Sequence, residues 1–353
     1  MKRAASKHLL VLGRIAGITI LTFILGEVSL RIYDYFRPSY IFYDESYIER
    51  FRGKPFASYG NFRLNSLGFR GKEFTPKPAH GFRIVALGDS FAFGVVPYDA
   101  NYLTLIEASL QKSHPNVDLL NMGIVRTGPS DYWELLKNEG LSYEPDLVLL
   151  SFFIGNDFDG PRRRRLYEFS YVATLIYRAS TVARSYRGPL TRAADFNYCD
   201  DCATTTEERF LKIERGRSRM YIKGYKRFSR SVDSAMTYLE KIQALCKKRR
   251  VQLVVVLIPD ELQINRDLQK TVRAKFHPQV ADNDWDPALP NRTLAARLSK
   301  AGIDTIDLYD SFAATGAQKR LYKPRDTHWN IAGNQLAANV VAVHLEKFAK
   351  WNK

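Results

Sequence analysis

Four short polar blocks interrupt the apolar pattern of this chain. They are Gly88-Asp89-Ser90, Asn121-Met122-Gly123, Gly155-Asn156-Asp157 and Asp326-Thr327-His328. An acyl-transfer centre needs a nucleophile, a base, a group that orients the base, and donors for the oxyanion. Those four blocks contain one candidate for each. Ser90, on a strand-to-helix turn, would be the nucleophile, and His328 would accept its proton. Asp326, two residues earlier, would bond the other imidazole nitrogen, fixing the tautomer and stabilising the imidazolium. The backbone N–H groups of Ser90 and Gly123 and the side-chain amide of Asn156 would converge on the oxyanion. A side-chain donor of that kind is worth about 3–4 kcal/mol of transition-state stabilisation.

Taken singly, each block also has a plain structural reading. Asp89 and Ser90 could cap a helix, Gly123 could be a turn glycine, and Asn156-Asp157 could open a loop through Asx bonding. His328 is harder to account for in that way. The chain has six histidines, and His8, His80, His114, His277 and His344 lack comparable polar company. Two other hydrolytic designs fit poorly. An α/β-hydrolase elbow would read Gly-x-Ser-x-Gly, whereas here Ala92 follows Phe91. A metallophosphoesterase would need several histidine ligands near the Gly-Asp and Gly-Asn-Asp turns, which six scattered histidines do not supply.

The elements that must position these residues follow from hydropathy. Short apolar runs predict buried parallel strands at 83–87, 117–121, 146–152, 251–257 and 303–308. Helical patterns fall at about 100–112, 129–141, 230–249, 291–301 and 331–349. That alternation predicts an α/β fold, a doubly wound, mostly parallel five-stranded sheet with ligands beyond the carboxyl ends of its strands. One interruption, residues 157–228, holds Arg162–Arg165, the aromatic run Tyr167–Tyr177 and two cysteines. It reads as an insertion capping the functional edge of the sheet.

In this order and at these places, the four blocks resemble those of the SGNH (GDSL-type) hydrolases. Asn65–Gly71 (NSLGFRG) resembles the segment that precedes the catalytic domain in membrane-anchored bacterial members. The resemblance spans about residues 61–349 and is weakest across the insertion. It implies a flavodoxin-like SGNH fold, esterase chemistry through Ser90, His328 and Asp326, and an oxyanion hole of Ser90, Gly123 and Asn156. It also implies small acyl groups, notably acetyl, on envelope carbohydrate.

Composition agrees with a folded enzyme: 353 residues with 45% hydrophobic and 13% aromatic content exclude disordered and fibrous classes. The net charge of +16 is uneven, because residues 160–250 carry 22 basic and 9 acidic side chains, or +13. This region reads first as a solvated or lipid-facing surface and second as a grip on an anionic polymer or headgroup. No nucleic-acid module is recognisable, and no cofactor or metal is implied.

The N-terminus bears Lys2, Arg3 and Lys7, then an apolar run from Leu9 to Gly26 broken only by Arg14. Eighteen helical residues span roughly 27 Å against a bilayer core of about 30 Å. No small-x-small cleavage site follows, so a retained signal anchor is expected rather than a cleaved peptide. The expected organisation is a cytoplasmic tail and transmembrane anchor over 1–31, a stalk or arm over 32–80, and an extracytoplasmic hydrolase domain over 81–349. Outside the cytoplasm, Cys199 and Cys202 would form a local disulfide rather than half a zinc site, and Cys246 would be a core thiol.

The same residues would also serve an O-acyltransferase with a sugar hydroxyl as acceptor. The anchor, the charge and the aromatic run would suit a lysophospholipase. A non-catalytic carbohydrate-binding protein is the reading from another class, although it has no need of the Asp326–His328 pair.

Overall fold

The computed structural model describes residues 2–36, 55–56, 58–59, 62–160, 166–185, 198–348 and 351. The Arg162–Arg165 run lies outside them. The chain divides into two compact units, one of residues 1–54 with 163–191 and one of residues 55–162 with 192–353.

In the larger unit a five-stranded parallel sheet carries the fold. Its strands are β1 (Phe82–Leu87), β2 (Val117–Asn121), β3 (Leu147–Phe153), β4 (Gln252–Ile258) and β5 (Asp304–Asp307), in the order β2-β1-β3-β4-β5. All pairings are parallel, and β3 and β4 stay in register from Leu147–Gln252 to Phe153–Ile258. Central strands are almost wholly apolar because helices cover both faces: every residue of β3, including its one polar residue Ser151, is buried. Each fully buried Leu or Val of this kind contributes about 1.5–3 kcal/mol of transfer free energy. Strands and helices lie within a few residues of the ranges that hydropathy predicts.

In chain order the helices used below are α1 (Lys2–Phe36), α2 (Ser90–Phe93), α3 (Tyr102–Leu110), α4 (Pro129–Asn138), α5 (Tyr171–Ser185), α6 (Glu207–Arg217), α7 (Lys226–Arg249) and α8 (Ile331–Phe348). The α7 sequence buries Phe228, Val232, Ala235, Met236, Leu239, Ile242 and Cys246, a stripe at helical spacing. Its C-terminus is turned by Arg250 in the left-handed region at φ 57°. After β5, the helix Tyr309–Gly316 and α8 close the core around Trp329. That indole is 1% exposed and packs edge-on to Phe91 and Tyr102 and flat against Phe312. It therefore pins the loop that carries His328.

Two outlying segments brace this unit. Asn65 organises the turn at 65–73: its Oδ1 accepts the Leu67 and Phe69 N–H groups, and its Nδ2 donates to Lys72 O. Arg70, 2% exposed, then donates to the carbonyls of Phe93, Gly94 and Val96, holding the chain that leaves α2. The second brace is the loop closed by the Cys199–Cys202 disulfide. Lys323 donates to Cys199 O, Thr204 N–H to Pro324 O (3.2 Å), and Thr205 Oγ1 to Arg325 O (3.1 Å).

The smaller unit is built on α1, a single helix that continues to Phe36. Its Val11–Phe36 segment is long and apolar enough to cross a membrane, judged by length and composition. Helix α5 packs on α1 in the same unit. The interruption at 157–228 is thus split: its middle joins the N-terminal helix, and its later part braces the chain around Pro324–Asp326.

Candidate active site

Three polar side chains meet at the carboxyl edge of the sheet. Ser90 stands at the first position of α2, immediately after β1, with Asp89 as the cap whose Oδ1 accepts the Phe91 N–H at 2.9 Å. Across from it, His328 places Nε2 2.8 Å from Ser90 Oγ and Nδ1 2.6 Å from Asp326 Oδ1. An anionic Asp326 can only accept, so Nδ1 carries the proton and Nε2 is left to accept from the serine hydroxyl. The loop is self-consistent: Asp326 Oδ1 also takes the His328 N–H (3.1 Å), and Lys323 N–H closes it on His328 O (3.0 Å). Burial raises the Asp326 carboxyl, but hydrogen bonds from His328 and Thr204 outweigh it and hold the pKa near 2. The orienting group therefore stays ionised at any working pH.

Gly123 lies at the end of β2 against α2. A Cβ there would sit 2.4 Å from Phe93 N and 2.7 Å from the Ala92 carbonyl carbon, so no other residue fits this approach. Its N–H donates to Asn121 Oδ1 at 2.9 Å, while Asn121 Nδ2 donates to Ala92 O at 2.8 Å. Asn156 follows β3, and its Nδ2 donates to Asp89 Oδ2 at 3.3 Å. The structure thus brings all five sequence-predicted residues, Ser90, Gly123, Asn156, Asp326 and His328, to one edge, with two of the expected oxyanion donors already bonded within the protein. An amide NH2 has two hydrogens, so Asn156 keeps a second donor.

Sequence reading missed what lies beneath. Asp89 is fully buried and serves Ser90 (3.4 Å), Phe91 and Asn156 together, with burial raising its pKa. Asp157 accepts from Tyr132 Oη (3.0 Å) and the Phe153 N–H (3.0 Å), and burial, reinforced by the charge of Asp89, pushes it well above the usual carboxylate range. Behind Gly155, the Arg217 guanidinium lies 5.1 Å over the Phe153 ring and 3.3 Å from both Glu214 Oε1 and Asp260 Oδ1. Tyr221 Oη donates to Asp260 Oδ2 at 3.2 Å.

The five-stranded parallel sheet is the fold that the sequence resemblance to the SGNH (GDSL-type) hydrolases implies. In agreement, residues 225–352 match the family model described as SGNH hydrolase-like domain, acetyltransferase AlgX. That stretch contains Asp326 and His328. A comparison with curated protein sequences found no match. Among solved structures, an acetyl xylan esterase (AlAXEase) is 14% identical with a TM-score of 0.42, covering 75% of this chain and 100% of its own. A member of the lipolytic G-D-S-L family from Veillonella parvula DSM 2008 is 16% identical with a TM-score of 0.41, over 76% and 100% of the two chains. A lipase/acylhydrolase from Enterococcus faecalis is 12% identical with a TM-score of 0.39, over 77% and 99%.

Proposed function

We propose that the protein is a membrane-anchored, extracytoplasmic serine enzyme that cleaves O-acyl esters, O-acetyl above all, on cell-envelope carbohydrate. The observation that carries this reading is the hydrogen-bonded run Ser90 Oγ–His328 Nε2 and His328 Nδ1–Asp326 Oδ1, at 2.8 and 2.6 Å. Ser90 Oγ attacks the ester carbonyl as its proton passes to His328 Nε2. The charge on the carbonyl oxygen is met by the N–H groups of Ser90 and Gly123 and by Asn156 Nδ2. For Gly123 this requires the N–H to be shared with, or released by, Asn121 Oδ1. His328 then returns the proton to the leaving alkoxide, giving the sugar hydroxyl and an acyl-Ser90. Water attacks the acyl-enzyme with His328 again as base, and the acid and free Ser90 are regenerated.

A second reading uses the same acyl-enzyme with a sugar hydroxyl in place of water. The match to a family model described as an acetyltransferase supports it. The test is aryl-ester turnover by the full chain and its Ser90→Ala variant, with acetyl and octanoyl esters, with and without added oligosaccharide. Ser90-dependent acetyl release into water supports hydrolysis, whereas release that needs the acceptor supports transfer. Preference for octanoyl would move the substrate to lipid. Turnover that survives Ser90→Ala would remove the nucleophile and the proposal with it.

A further inference from the structure

The smaller unit holds a second feature that the function above does not use. Glu27 is a carboxylate directly after the apolar run of α1, at a place where an unsatisfied charge is costly. Here it is fully engaged by α5. Its oxygens accept the N–H groups of Tyr171 (3.0 Å) and Val172 (3.1 Å) and the Ser170 hydroxyl (2.9 Å). Two of these donors belong to the first turn of a 15-residue helix, whose positive end favours an anion. The other polar groups at this end of α1 converge on the same place. Arg31 pairs with Glu27 at 2.7 Å, donates to Phe169 O and lies 4.6 Å over the Tyr171 ring. Tyr171 Oη donates to Asp34 Oδ2 at 3.0 Å. Gly26 permits the approach, since a Cβ there would meet Val172 Cγ2 at 3.3 Å.

With its polar end docked, α5 presents Leu175 and Ile176 outward, 41% and 63% exposed. On α1, Ile24, Leu25, Val28 and Ile32 are exposed as well. The apolar run Leu9–Gly26 spans roughly 27 Å of a bilayer core of about 30 Å, so the helix leaves the core near Glu27. Glu27–Asp34 then lies at headgroup level, where helices with one apolar face rest and where aromatic and basic side chains concentrate.

We propose that α5 is a second membrane-seated element, an interfacial helix capped by Glu27 of the spanning helix, with its Leu175–Ile176 face toward the acyl chains of the outer leaflet. The proposal rests on the membrane-anchored reading above, and the two fail differently. The full chain would be placed in phosphatidylcholine–phosphatidylglycerol vesicles with a fluorophore on Ile176→Cys or Leu25→Cys. Such a label is selective, because Cys246 is buried and Cys199 and Cys202 are bonded to each other. Lipids brominated on the acyl chain are expected to quench both positions, with position 176 favouring shallow bromines. Quenching at 25 without quenching at 176 overturns the proposal, and another protein surface then covers that face. Quenching at neither position overturns the membrane reading itself. In a Glu27→Leu background, quenching at 176 is expected to fall by about half while that at 25 persists, as loss of a cap releases the helix. Undiminished quenching at 176 there would remove Glu27 from the role.

Discussion

The Ser90–His328–Asp326 run and the Glu214–Arg217–Asp260–Tyr221 cluster are made of similar side chains and differ in what they leave open. His328 keeps 22% of its side chain exposed, and its hydrogen bonds form a line that ends on a hydroxyl. Glu214, Asp260 and Tyr221 are 0% exposed, and their bonds close on one another. One cation there faces two carboxyls. Burial, then the charge of Asp260, pushes Glu214 well above the usual carboxylate range. That shift favours the uncharged form of Glu214 and so lowers the cost of two carboxyls sharing one cation in the core. The comparison separates a polar arrangement that can exchange a proton with a substrate from one that can only hold the backbone.

The largest expected stability effect comes from breaking the sealed group. Arg217→Met would leave Asp260 charged and uncompensated, a change that typically costs 3–5 kcal/mol, about the range seen when one partner of a buried pair is removed. Denaturant unfolding should show that loss, while the folded fraction retains its turnover number. A variant of unchanged stability and lost turnover would move Arg217 into the active site and dissolve the contrast. The opposite signature is expected for Asn156→Ala. Its kcat should fall by about 10²–10³ with KM little changed and the unfolding midpoint nearly the same, as for other side-chain oxyanion donors. A stability loss with normal kcat would mean that the amide serves only to hold Asp89.

Why the two groups were so unequally legible is a matter of the apolar pattern around each residue. Chain distance does not decide it, since Ser90 and His328 lie 238 residues apart and Arg217 and Asp260 only 43. The sheet could be read because central parallel strands must be apolar on both faces, which leaves continuous runs such as Leu147–Phe153. Ser90, Gly123, Asn156, Asp326 and His328 could be read because each closes or precedes such a run, so the fold itself carries them to one edge. Glu214 and Arg217 have no such marker, and Asp260, which does follow an apolar run, carries nothing in its local sequence that pairs it with them. They sit on α6 and after β4, and only tertiary packing behind Gly155 makes them neighbours. Arg70 was hidden likewise: the NSLGFRG segment was visible, but not that its arginine grips the carbonyls after α2. The division of the 157–228 interruption between two units leaves no trace in composition, since both parts are basic and aromatic.

The smallest effect, and the finest test of the contrast, concerns Glu261, which lies between the two groups in sequence and charge environment. Burial, with the charges of Asp260 and Asp326, raises its pKa from 4.5 to about 8 against the opposing bond from Asn265 and the charge of Arg320. A raised carboxyl is protonated in the folded chain where the unfolded chain has already lost its proton. Its stabilising contribution is therefore complete below 4.5 and disappears as pH rises through about 8. Glu261→Gln keeps the shape and removes the proton, so the fall in unfolding midpoint between about pH 5 and pH 9 should be smaller than in the parent chain. Turnover should be unaffected, because Asp326 stays ionised across that range. An equal slope in both proteins would show that Glu261 is charged when folded, and would assign the pH dependence to Glu214 and Asp157 instead.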